Sequence, residues 1–517
     1  MTPSLCKNHL TLTSSSNMAQ WTRLPPEVQE LILEEVPPSS EYEIAFPLST
    51  YACVCKSWQQ FFEARTFQKL TLNSDDISNF ERIVHPGRVK FVKHILLHVQ
   101  ITAYPGQTNT PNSPPRHVLD SKTPEEGSDD LDFTATIWEF LTVLSKWETE
   151  GRNASRGLTF ELGTCIEEGL QWSIKHIKTK YLYFKRLIAR RYLREHKPDL
   201  DNAFNAFIVS LVGLKSLEFL FNDNQARDAP LLPQVRAVTS FLINRWYIPN
   251  LAAEALAELC RSFPRAQGFH LERWLFDNGT SNRKWDEGYP MLMSSLPASL
   301  KRLTIMEELH PWYPQALENR PDSITHDFLQ VSQRLEQLCL SFATDATQFF
   351  RPFWPAQLAA RGGPPQFRWE NLTSLALTAT VLTAISSPEV NELLIAAANA
   401  AMRMPALRLL ELWGCERETG IFRYAREDRT SEICWLGTWL LRLDKRAVRR
   451  WQDVAASHNE GVRALLTTTG VFDPEHVDPR YQNVVFRYLR LADSIQHFIP
   501  PREEWGDPLW PRKHRSR

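Results

Sequence analysis

Apolar residues recur through the middle of the chain in one short template: two leucine-like positions three apart, then a third two residues on. It stands at Leu214-x-x-Leu217-x-Phe219, Leu300-x-x-Leu303-x-Ile305, Leu335-x-x-Leu338-x-Leu340, Leu372-x-x-Leu375-x-Leu377 and Leu407-x-x-Leu410-x-Leu412. Weaker copies begin at Val238 and Ala266. The starts 214, 238, 266, 300, 335, 372 and 407 are separated by 24, 28, 34, 35, 37 and 35 residues. Alternation within each copy predicts a strand with its leucines on one face. Val92 to Gln100 and Ser155 to Gly163 fit as two earlier strands. Helical spacing over Leu251 to Cys260, Ser323 to Gln333 and Pro388 to Met404 places helices between them. Strand and helix in alternation with a repeated signature imply an α/β architecture, parallel strands on one side and helices on the other. A set of unrelated buried strands in one α/β domain is the competing reading. After Cys415 the pattern changes to a strand over Ile433 to Trp439 and a helix over Asp444 to Ala456, as a closing cap would.

The N-terminal pattern is different. Leu24 precedes a proline and is pushed toward extended geometry, while Pro25 and Pro26 suit the first turn of a helix. Glu27 and Glu30 lie near the positive end of that helix, and Val28, Leu31 and Ile32 recur at helical spacing until Pro37-Pro38. A second helix is predicted over Leu48 to Phe62. Its stripes, Leu48, Tyr51, Ala52, Cys55 and Phe62 on one side and Val54, Trp58 and Phe61 on the other, need two things to bury against. Because so short a segment seldom makes a core alone, one of those can be another protein.

These residues, Leu24-Pro25-x-Glu27-Val28 with Ile32-Leu33 and then Val54-Cys55-Lys56-x-Trp58, resemble an F-box. The resemblance implies that Leu24, Pro25, Glu27, Val28, Ile32, Leu33, Val54, Cys55 and Trp58 pack against a Skp adaptor and, through it, reach a cullin. Val36 to Pro47 is longer than the family's connection and suggests a loop insertion. The middle region resembles an irregular leucine-rich-repeat solenoid, as in F-box proteins of fungal type. The expected organisation is a disordered leader at 1–19, the F-box at 20–68, the repeat region at 69–415 with a mobile insert at 102–132, the cap at 416–500 and a basic tail at 501–517. Met18 is a plausible natural start within that leader.

Composition narrows the function classes. Lys plus Arg total 59 and Asp plus Glu 60, a net charge of -1, so no global field points to nucleic acid or a membrane surface. The eight cysteines include no CxxC pair, which suits a reduced cytoplasmic or nuclear compartment. The longest near-apolar run, Leu393 to Met402, is about half a membrane span. Cys53-x-Cys55 lacks further ligands for a metal and is expected on a buried helix. His94 and His98, on one strand face, lack a third ligand. Glycine spacing excludes GxSxG and Walker A motifs, and HExxH and EF-hand patterns are missing. The insert carries Thr110-Pro111, Ser113-Pro114 and Thr123-Pro124, candidate phosphorylation dipeptides.

The expected function is that of a non-catalytic substrate receptor without cofactor or metal, a monomer within a hetero-complex, and the alternative is an F-box scaffold outside the ligase. The target protein is expected on outward-facing strand positions, Glu218, His270, Glu272, Met306, Glu411 and Trp413. Trp413 either belongs to that mixed aromatic and anionic groove or packs under the cap through Trp435 or Trp439.

Overall fold

The computed structural model describes residues 21, 23–36, 48–101, 128–147, 157–166, 217–219, 232–244, 251–275, 279–309, 321–362, 365–415, 418–427, 430–458, 465–471 and 488–491. The leader, most of the Val36 to Pro47 connection, residues 102–127 of the insert and the basic tail lie outside them.

Three helical segments come first: α1 (Pro26–Glu35), α2 (Leu48–Tyr51) and α3 (Lys56–Thr66). The single helix expected over Leu48 to Phe62 is therefore broken. Cys55 is fully extended at φ -163°, ψ 174° and stands at the N-terminal boundary of α3, so Val54 and Cys55 lie in a turn. The two cysteines are correspondingly not on a buried helix; Cys53 is exposed and Cys55 half-buried. No glycine or proline marks the break, which is why apolar spacing passed through it.

Twelve strands follow among the described residues, in one sheet whose spatial order is the order of the chain. They are β1 (Lys69–Asn73), β2 (His94–Ile101), β3 (Leu158–Ile166), β4 (Val238–Ile243), β5 (Gly268–Leu275), β6 (Arg302–Leu309), β7 (Gln337–Asp345), β8 (Ser374–Thr378), β9 (Leu409–Cys415), β10 (Thr419–Glu427), β11 (Thr430–Gly437) and β12 (Leu465–Val471). Every pair from β1 to β9 is parallel. β10 turns back antiparallel between β9 and β11, and β12 runs parallel to β11. The segment after Cys415 thus continues the same sheet with a reversal of direction.

Register explains the template. Leu303, Leu338, Leu375 and Leu410 stand side by side across β6 to β9, and Ile305, Leu340, Leu377 and Leu412 form a second row. All eight are fully buried. Phe160, Phe241 and Phe269 make the same kind of row across β3 to β5, with ring centroids 5.7 and 5.5 Å apart, close to the spacing of neighbouring strands. The rows share one apolar core with the helices between strands, including α4 (Ala253–Ser262), α5 (Gly279–Ser295), α6 (Asp322–Ser332), α7 (Ser387–Ala401) and α8 (Lys445–His458). In that layer Arg273 donates to Glu307 at 2.7 Å, Tyr289 donates to the same oxygen at 2.7 Å, and the guanidinium lies 3.9 Å over Trp285. Partnering of this kind is what makes buried charge tolerable.

One copy of the template is not a sheet strand. β3 pairs directly with β4, leaving no place for the copy at Leu214. Instead Leu217 makes an isolated parallel bridge to Leu251, ahead of α4, and Phe219 stacks on Phe133 at 5.0 Å. Alternating apolar residues satisfied an extended segment on the helix side equally well.

Candidate protein-docking surfaces

Pro25, with φ -53° and ψ 144°, delivers the chain into α1, and Pro26 occupies the first turn. The turn is fastened from inside the helix: Gln29 donates its amide to the carbonyls of Leu24 at 2.8 Å and Trp21 at 3.1 Å. Trp21, Trp58 and Phe62 then form a row, centroids 6.1 and 5.7 Å apart, with Tyr51 and Phe61 closing on Phe62. Arg65 of α3 reaches Glu34 of α1 at 2.9 Å. Arg88, just before β2, reaches Glu63 at 2.6 Å, and that bond holds the Glu63 carboxyl below its usual range.

This small scaffold leaves apolar side chains outside. Val28, Leu31 and Ile32 share one exposed face of α1, and Val54 is exposed in the turn before α3, with Leu31 at 62% and Val54 at 60%. Residues 21–69 match the F-box domain.

Within the F-box, the nine residues expected at the adaptor divide three ways. Pro25, Glu27, Val28, Ile32 and Val54 are exposed, Leu24, Cys55 and Trp58 are half-buried, and Leu33 is buried inside the scaffold. Leu31 belongs with the exposed group although it was absent from the expected set; its spacing three residues from Val28 was the available signal. Burial pushes the Cys55 thiol up, but hydrogen bonds from the Ser57 hydroxyl and the backbone N–H groups of Trp58 and Ser57 outweigh it and leave the thiol below its usual value. A second match, to a family of unknown function designated DUF6546, spans residues 295–497 and so runs from before β6 to beyond Leu491. No curated protein matches the chain.

The outward sheet face corrects the expected target-binding positions. Glu272, Met306, Glu411 and Trp413 are all buried, and His270 and Glu218 only partly exposed. Glu218 is not on the sheet; its carboxylate takes Lys284 at 2.6 Å and its N–H donates to Asp130 at 2.9 Å. His270 and Glu272 pair with each other at 2.9 Å. Trp413 meets Phe342 edge-on at 5.3 Å. Phe342 stands where β7 bulges, at φ 60°, a costly region for a bulky residue, and its N–H donates to the Thr378 hydroxyl at 2.8 Å. Period-2 alternation predicts the direction of a side chain, and it carries no information on what lies over it.

What lies over Glu411 is the chain itself. Residues Tyr488–Leu491 cross the outward face of β7 to β10. The Arg490 N–H donates to both Glu411 oxygens at 3.0 and 3.1 Å, and the Leu491 N–H donates to one of them at 3.2 Å. Arg423 donates to Glu411 at 2.7 Å and also to the Tyr488 carbonyl. The Leu491 side chain packs on Cys339, Ala376 and Leu409. Among the described residues no group of three or more His, Cys, Asp or Glu side chains could hold a metal ion, and no helix is long and apolar enough to cross a membrane.

Proposed function

We propose that this protein is a non-catalytic substrate-recognition subunit of a Skp–cullin–F-box ubiquitin ligase, acting in the cytoplasm or nucleus. The observation that carries the reading is the exposed apolar group Val28, Leu31, Ile32 and Val54 inside the matched F-box. F-box domains bind Skp, and a scaffold with so little core of its own gains from being completed by a partner. Pro25, Glu27 and the half-buried Leu24, Cys55 and Trp58 would border that contact, while Leu33 would shape it from within.

The sheet would present the target. Its leucine rows, in register and in chain order, support an irregular leucine-rich repeat, as the resemblance to fungal F-box proteins implies. The test is affinity purification of the tagged full chain, with and without proteasome inhibition. Recovery of Skp and cullin together supports the ligase; Skp without cullin would make the chain a scaffold; recovery of neither would end the F-box reading.

A further inference from the structure

The contact between Tyr488–Leu491 and the sheet has the chemistry of a peptide complex. Glu411 binds two consecutive backbone N–H groups, so its recognition of the segment does not depend on side chains there. Specificity resides beside it, where Cys339, Ala376 and Leu409 offer small apolar surfaces to one leucine side chain. Arg423 fixes the carboxylate and takes the Tyr488 carbonyl, which sets the direction of the segment. Arg490 also pairs with Glu427 at 2.8 Å at the solvent edge, where such pairs contribute little.

We propose that the outward face of β7 to β10 is a binding site for a linear, leucine-bearing peptide, and that Tyr488–Leu491 is its built-in occupant, a tethered mimic that target peptides must displace. The site is formed by Cys339, Ala376, Leu409, Glu411 and Arg423. Its ligand class is a short turn-forming segment that presents two successive backbone N–H groups to one carboxylate, with a leucine at the second of them. This deepens the adaptor reading, because it supplies both a target class and a reason why the face is closed in the isolated chain. A tether presents its segment at an effective concentration on the order of millimolar; against a free peptide of Kd about 100 μM, it weakens apparent binding roughly tenfold.

The experiment uses the full chain and a fluorescent synthetic peptide of residues 485–494. A variant with Tyr488, Leu489, Arg490 and Leu491 replaced by alternating glycine and serine should bind this peptide about tenfold more tightly than the unaltered chain. A peptide carrying Leu491→Asp should bind neither. Equal binding to both proteins, or none to the folded variant, overturns the proposal. Failure of the variant to fold also overturns it, since the segment is then a structural clasp, as does exchange of the segment between copies, seen as a concentration-dependent dimer in light scattering. A second variant, Leu491→Ser, keeps the backbone contacts and should gain a smaller part of the affinity. Skp capture by the same variants stays unchanged, which separates this outcome from failure of the F-box reading.

Discussion

The F-box and the sheet bury their apolar residues to very different degrees. Between residues 21 and 67 the described hydrophobic side chains that are buried are Leu33 and Phe62, while four others on the same few turns are exposed. From β2 to β11 the inward strand positions are closed almost without exception, and even charged residues such as Arg273, Glu307 and, on the outward face, Glu411 are buried with partners. On the proposed reading, the difference separates a surface that another protein would complete from a structure that completes itself. Substitutions should therefore act on binding in the first region and on stability in the second.

The largest effect is expected in the core packed against the sheet. Trp369 is fully buried, donates to Ser332 at 2.7 Å and packs on Phe353 and Phe367 at 5.7 and 6.2 Å. Trp369→Ala should cost about 3–5 kcal/mol, measured by denaturant unfolding of the full chain; a loss below about 1 kcal/mol would break the comparison. Next comes the F-box surface. Val28→Asp with Leu31→Asp should weaken Skp binding by roughly 10²–10³-fold, as loss of paired apolar anchors does, and leave the melting temperature of the sheet where it was. An unchanged Skp pull-down would remove the distinction altogether.

The smallest effect sharpens it. Burial, the Arg426 charge and, opposing them, the bond to the Ala401 carbonyl hold His458 down to about 4. The folded state therefore keeps this imidazole neutral, while the unfolded chain takes up a proton near pH 6.5. Its contribution to stability is complete above that pH and is lost as pH falls from 6.5 through 4. In urea unfolding, His458→Gln should show a shallower loss of stability over this window; parallel curves for the two proteins would exclude the effect.

What could be read from sequence follows the range of the interactions involved. Strand leucines and the helices between them repeat within a few residues, so β4 to β9 were visible, β4 beginning at the first residue of its template and β5 to β9 two residues inside theirs. β10 escaped notice because Phe422 and Tyr424 alternate without the leucine signature. The Leu214 copy misled because a bridge on the helix side demands the same alternation. The Cys55 break lacks a glycine or proline. Hardest of all was the outward face, since Glu411 meets Leu491 across 80 residues of chain and no local pattern encodes that meeting. Glu411, expected to face a target protein, is covered by residues of its own chain.

Strand order in this sheet is also the order of synthesis. Each parallel strand emerges from the ribosome with its neighbour already made, so pairing can proceed without waiting for distant sequence. Glu411 is the exception that sets a clock. Arg423 follows it by 12 residues and Leu491 by 80, or at 5–20 residues per second about 0.6–2.4 seconds and about 4–16 seconds respectively. During that interval the carboxylate has its counter-charge but not the backbone donors of Arg490 and Leu491.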